Sequence, residues 1–306
     1  MTEDEFTAYQ ALAEETGDHR WAFGTGFTDP LEGIDTSVPE GVSGPALAAY
    51  CLMLGDDALI YSHRLQEWMT RLPELEEETA VANIALDLLG QARMLLARAG
   101  RAEGAALAGS TALAGSTGRS EDQLAFFRPE KDFRNVRLAE HPDADFAQLA
   151  GRLLIFSTWR LALFSKLSGS GDPVLAAIAS KGAKELAYHR DYAAQWVIRL
   201  GDGTDLSHAR MQAALETIWP LVDELFRADA VGGDLPGVAA DPAGLRAEFD
   251  SVLTAVLAAA TLDLPDTPPL AQVAGTSGRD GVHTEALGYV LAELQSVARA
   301  DPEATW

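Results

Sequence analysis

Four side chains are placed to do chemistry together: Asp57, Asp87, Glu185 and His189. Carboxylates and imidazoles in the core of a helical bundle are the donors that hold a pair of hard metal ions, the basis of di-metal oxidase and oxygenase chemistry. Asp87 is the single carboxylate in the middle of EEETAVANIALDLLGQARMLLARAG (76–100), which after its three leading glutamates is apolar on nearly every face. A buried acid in such a site is followed by histidine three residues on, one turn along the helix. Here that position is Gly90. Glu185 is followed at the same offset by Tyr188, and His189 has Leu186 three before it. None of the six histidines follows a glutamate at this spacing. Asp205/His208 and Asp280/His283 show it with aspartate, but they lie beside glycines on different segments, where capping and turn chemistry accounts for them.

The elements that must position these groups read as helices. Leu47, Cys51, Leu54, Ala58, Tyr61, Leu65 and Trp68 alternate by four and three, the seam of a helix over about 46–71. Pro73 interrupts, the acids at 76–78 suit the positive start of a second helix over 76–98, and Gly100 ends it. A third helix is predicted over 145–167 and a fourth over 173–200, across the short turn SGSGDP. Thr204 can cap a fifth, reaching about 229, and further helices are predicted at 242–263 and 284–299. No run alternates as a strand does, so the fold is expected to be all-α. Short links make the first and third connections antiparallel hairpins, and a long crossover over 101–144 joins them. That is the ferritin-like four-helix bundle, here with additional C-terminal helices. Residues 1–44 carry no periodicity and are expected to be a weakly ordered arm before one helical domain over 45–306. The repeat ALAGSTALAGST (106–117) reads as a flexible loop.

Counting from the hairpin turns at about 1.5 Å per residue puts Asp57, Asp87, Glu185 and the stretch around Phe156 at similar heights. The inventory there is short of a metal site. The third helix has no acid between Phe146 and Gly169, and neither hairpin supplies a Glu-x-x-His motif. Buried carboxylates without metal need other cations, and Arg160, Lys181 and Lys184 are near enough to serve. Asn83, Asp87 and Gln91 form a polar stripe at four-residue steps, flanked by Leu86, Gly90 and Met94. The expectation is a midplane held by ion pairs and hydrogen bonds, with Asp57, Asp87, Gly90, Glu185, Tyr188 and His189 marking the positions of a vestigial site and no metal bound. The competing reading is an active di-metal oxygenase or oxidase using Asp57, Asp87, Glu185 and His189. Gly55 and Gly90 weaken their helices and so predict close helix approach.

Composition narrows the classes. Apolar residues make up 47% of 306, and 46 acids against 23 bases give a net charge of −23. Such a field repels nucleic acid and anionic lipid, so neither is expected as a partner. Cys51, the one cysteine, lies on the apolar seam and reads as a structural thiol. No phosphate-binding glycine loop or serine nucleophile elbow is present. The acidic start predicts no signal peptide, and SVLTAVLAAATL (251–262) is too short to span a bilayer, so a cytoplasmic protein is expected.

The segments LEEETAVANIALDLLGQAR (75–93), EDQLAFFRPEKDFRNVRLAEHPDADFAQ (121–148), AIASKGAKELAYHRDYAAQWVIRLGDGTDLSHARMQ (177–212) and GVHTEALGYVLAEL (281–294) resemble the C-subunit family of the ring-1,2-phenylacetyl-CoA epoxidase complex. The resemblance runs from about residue 44 to 306; the N-terminal arm and the repeat depart from it. It implies a structural subunit of a bacterial multicomponent monooxygenase of aerobic phenylacetate breakdown, with no catalytic residue of its own. The partner it implies is a ferritin-like catalytic A subunit that holds the di-iron site, and a flavin and iron–sulfur reductase subunit would deliver electrons. The charged, aromatic crossover at 121–145 is the expected contact surface.

Overall fold

The structure is a computed structural model describing residues 33–72, 74–108, 118–228 and 230–303. Most of the expected N-terminal arm, and residues 109–117 of the repeat, lie outside these. Ser43 caps the first helix, α1 (Gly44–Gln66), and Pro45 occupies its first turn, where a missing N–H is harmless. After a turn through Leu72, α2 (Leu75–Ala108) runs back along α1. The crossover contributes two short helices, α3 (Glu121–Phe126) and α4 (Arg137–Glu140). Asp145 then caps α5 (Phe146–Leu167), and Asp172 caps α6 (Pro173–Gly201). The capping box of Thr204 and Ser207 starts α7 (Asp205–Ile218); α8 (Ala230–Gly233), α9 (Arg246–Ala259) and α10 (Glu285–Ala300) follow. No strand occurs among the described residues, apart from an isolated bridge between Val273 and Thr276. The fold is all-α and ferritin-like: hairpins α1/α2 and α5/α6 pack together, with α2 on α6 and Tyr61 of α1 on Phe156 of α5, ring centroids 4.3 Å apart.

Three helix ends differ from the sequence reading. The first helix ends at Gln66 rather than about 71, where the chain tightens into turns and Thr70 takes a φ of 79°. Gly100 does not end the second helix, which continues to Ala108. A Cβ at Gly100 would sit 1.9 Å from the carbonyl of Arg119, so the glycine admits the returning chain against the helix. The fifth helix stops at Ile218, because Pro220 cannot donate within a continuing helix and the chain turns into 3-10 segments.

The side chains of α5 are buried nearly all round, since α7, α9 and the crossover cover what the bundle leaves open. Helix α2 is the opposite case. Leu75 and Leu86 are exposed, and residues 75–106 are long and apolar enough to cross a membrane by length and composition, although 44% of the apolar window is buried inside the fold. Of the N-terminal segment, Thr36 and Ser37 are held through their carbonyls by Arg98 of α2, at 2.6 and 3.0 Å.

Candidate functional site

Asp57 faces the interior from the middle of α1 and has no exposed surface. Its two oxygens accept hydrogen bonds from the guanidinium of Arg279 at 2.9 and 2.8 Å, and the backbone N–H of Val136 donates a third at 2.9 Å. Burial pushes its carboxyl up, and the net shift stays upward although Arg279, helped by Arg160, opposes it. Arg279 arrives in the turn Gly278–Asp280, which is capped by Ser277 at one end and by Gly281 in the left-handed region at the other. There the same guanidinium donates to the carbonyl of Arg134 at 2.7 Å. Asp56, next along the chain, is equally buried and pairs with Arg128, while Arg134 N donates to it at 2.9 Å. Two adjacent acids on one buried helix are thus matched by two arginines from distant segments.

A second polar chain crosses between the hairpins. Arg160 of α5, fully buried, donates through Nε to Oε1 of Gln91 at 3.0 Å and through Nη2 to the carbonyl of Leu54 at 3.2 Å. Gln91 Nε2 in turn donates to Glu185 at 3.0 Å, and Lys181 pairs with the other oxygen of Glu185. Desolvation draws the Arg160 guanidinium down to about 10, which leaves it charged at neutral pH, and its centre lies 4.4 Å over the ring of Phe164. Lys181 therefore pairs with Glu185 as expected, whereas Arg160 reaches Glu185 only through Gln91, and Lys184 is exposed.

The remaining positions lie at the edge of the core. His189 is buried and its Nε2 is 3.0 Å from Asp87, but the Asp87 side chain is 39% exposed in the groove between α2 and α6. Asp87 is not the interior carboxylate that its apolar context predicts. Helix α2 needs only one covered face, and Leu86 beside it is 61% exposed. The polar stripe likewise divides: Asn83 is exposed and Gln91 buried. Tyr188 points outward at 54% exposure, and a Cβ at Gly90 would meet nothing within 4 Å. Close helix approach therefore explains Gly55, whose Cβ would lie 3.0 Å from Leu96, but not Gly90.

The structure brings Asp87 together with His189 and links Glu185 to Gln91, while Asp57 is committed to Arg279 and Val136. Among the described residues, no three His, Cys, Asp or Glu side chains converge on a point where an ion could sit. A pair of hard cations does not fit this donor set: the most buried acid has both oxygens taken by a guanidinium, and the histidine position is a glycine facing open space. What the arrangement does chemically is neutralise charge and tie four helices to one another. Cys51 is wholly buried, which pushes its thiol up and keeps it protonated.

Sequence reasoning misses Arg279. No spacing rule links it to Asp57, 222 residues earlier. The available signal is the demand itself, since two neighbouring acids in an apolar helix require two cations. The crossover is partly buried and partly open: Phe127 is 41% exposed, but other residues face inward. Phe133, Val136 and Leu138 are fully buried against the chain's own helices, and its polar groups are spent on Asp56 and Asp57. Asp280 does serve a turn, as its spacing suggests, but His283 is buried on Glu140.

With that geometry in place, the relatives are informative. The family described as "Phenylacetic acid catabolic protein" matches residues 35–306. The chain is also 43% identical over 262 residues to the C subunit of the 1,2-phenylacetyl-CoA epoxidase of Escherichia coli (strain K12), covering 85% of this chain and 99% of that one.

Proposed function

The chain belongs to the phenylacetic acid catabolic protein family, and from that premise we propose that it is a non-catalytic structural subunit of a multicomponent phenylacetyl-CoA epoxidase of aerobic phenylacetate breakdown. In this reading it pairs with a homologous catalytic A subunit that holds the di-iron centre, and a flavin and iron–sulfur reductase supplies the electrons. The observation that carries the reading is the guanidinium of Arg279 seated on both oxygens of Asp57, a carboxylate that a di-metal core would need as a ligand. The exposed apolar side chains of the α2/α6 face, Leu75, Leu86 and Tyr188, support pairing, because a long bundle helix with uncovered Leu positions is stabilised by a partner surface.

The test is co-expression with the catalytic subunit, followed by size-exclusion chromatography and iron quantification in each separated chain. A stoichiometric complex with iron confined to the partner is expected. Two irons per copy of this chain would overturn the reading in favour of an active di-metal oxygenase, and indifference to the partner would remove the pairing.

A further inference from the structure

The outer side of α2 carries a strip that the rest of the chain leaves open. Glu76, Thr79, Leu86 and Arg101 are exposed along it, and Gly90 and Ala97 are half-buried between them. At 3.6 residues per turn these positions share one side of the helix. Leu86 stands out from it at 61% exposure. One turn on, Gly90 leaves a notch, since a Cβ there would meet nothing within 4 Å. A glycine in mid-helix weakens the helix, and no close approach within the chain explains this one. A knob and a notch one turn apart suit a helix that arrives from outside.

Charge selects that helix. The chain carries −23 overall, yet from Thr79 to Arg101 α2 has one acid, Asp87, against two exposed arginines, Arg93 and Arg101. Arg93 is taken by Glu121 and Asp87 lies against His189, whereas Glu76 and Arg101 make no ion pair among the described residues. The strip is therefore acidic at its start, apolar in the middle and basic at its end. That pattern complements itself when two copies run antiparallel. In a two-fold dimer every contact occurs twice. With the axis at the level of Leu88, Leu86 of one copy falls on Gly90 of the other, Thr79 on Ala97, and Glu76 beside Arg101. The same arrangement sets the positive start of each helix beside the negative end of the other. Salt screens the acids elsewhere on the two copies over about 8 Å at physiological ionic strength.

We propose that the outer strip of α2 is a self-association surface on which a second copy of this chain packs antiparallel, with Leu86 seated over Gly90 and Glu76 paired with Arg101 in both directions. This goes beyond the pairing with a catalytic subunit and does not rest on it. The second copy covers Leu86, while Leu75 and Tyr188 of α6 lie outside the paired span.

The test is sedimentation velocity of the full chain over a concentration series, where a reversible dimer is expected. Arg101→Glu and Glu76→Arg each set like charges together across the interface and should weaken it at least about tenfold. The double variant exchanges the two charges and should return the dissociation constant to within about threefold of wild type. Both positions are exposed, so circular dichroism should be unchanged. A chain still monomeric at about 100 μM, a dimer indifferent to Arg101→Glu, or a double variant that recovers nothing would each overturn the assignment. So would a monomeric wild type whose co-purification with the catalytic subunit is lost in Arg101→Glu, because that subunit would then be the occupant of the strip.

Discussion

Nη1 and Nη2 of Arg279 lie 2.9 and 2.8 Å from the two carboxylate oxygens of Asp57, a parallel two-bond pairing with 7% and no exposure of the two side chains. Removing one member of such a pair strands the other in a low-dielectric site. Arg279→Met is therefore expected to destabilise the fold by about 3–5 kcal/mol, whereas Asp57→Asn combined with Arg279→Met recovers most of that loss. Urea unfolding of the two single variants and the double variant, analysed as a cycle, measures this. Arg279→Lys should rescue only partly, because an ammonium cannot bond both oxygens in parallel.

Gln91 gives a second prediction. Its amide joins Arg160 to Glu185, accepting from one and donating to the other, each at 3.0 Å. Gln91→Leu keeps approximate size and leaves both charged groups short of a partner. A loss of about 3 kcal/mol is expected by chemical denaturation, from two hydrogen bonds to charged groups. A loss below about 0.5 kcal/mol, the low end for a single hydrogen bond, would mean that water replaces the amide at no cost.

The third concerns pH. His283 Nδ1 lies 2.8 Å from Glu140 and Nε2 lies 3.0 Å from the carbonyl of Phe133. Both neighbours offer acceptor oxygens, an arrangement that favours the doubly protonated ring. Glu140 also accepts from Asn135 and Thr284 N. Burial pulls the His283 value down, but the hydrogen bond and charge of Glu140 and the Phe133 carbonyl outweigh it, and the net shift is upward. A raised folded value means that the contribution is complete below the ordinary histidine value of about 6.5 and disappears as pH rises through the folded value. Wild type should lose stability relative to His283→Asn as the pH is raised above neutrality. His63 and His141 are shifted downward by burial and act in the opposite sense: their contribution is full above the ordinary value and falls away in acid. Urea midpoints across the range from mildly acidic to mildly alkaline separate the two effects.

Two glycines should respond oppositely to the same substitution. Gly90→Ala places a methyl in open space on α2 and should stabilise by up to about 1 kcal/mol through helix propensity. Gly182→Ala would put a Cβ 2.7 Å from the ring of buried Phe164 and 3.2 Å from Gln91, and should cost about 1–3 kcal/mol by overpacking. Thermal melts of the two variants give the signs directly.

Local periodicity and capping chemistry are written in neighbouring residues, which is why α5 and α6, and the starts of α1 and α7, can be placed closely from the chain alone. Asp145 before α5, Pro173 at the start of α6 and Thr204 before α7 all act within a turn of their own position. The shortfall of ligands is equally legible, since Gly90, Tyr188 and the acid-free third helix are facts of composition. The tertiary structure alone decides which residues neutralise the core. Asp57 finds Arg279 and Asp56 finds Arg128 only because the crossover and the C-terminal turn fold back on α1, contacts with no sequence period. Exposure is decided in the same way. Asp87 sits in an apolar run yet meets solvent, because a helix's hydrophobicity states how much surface it needs covered, and only the packing of its neighbours determines which face that is.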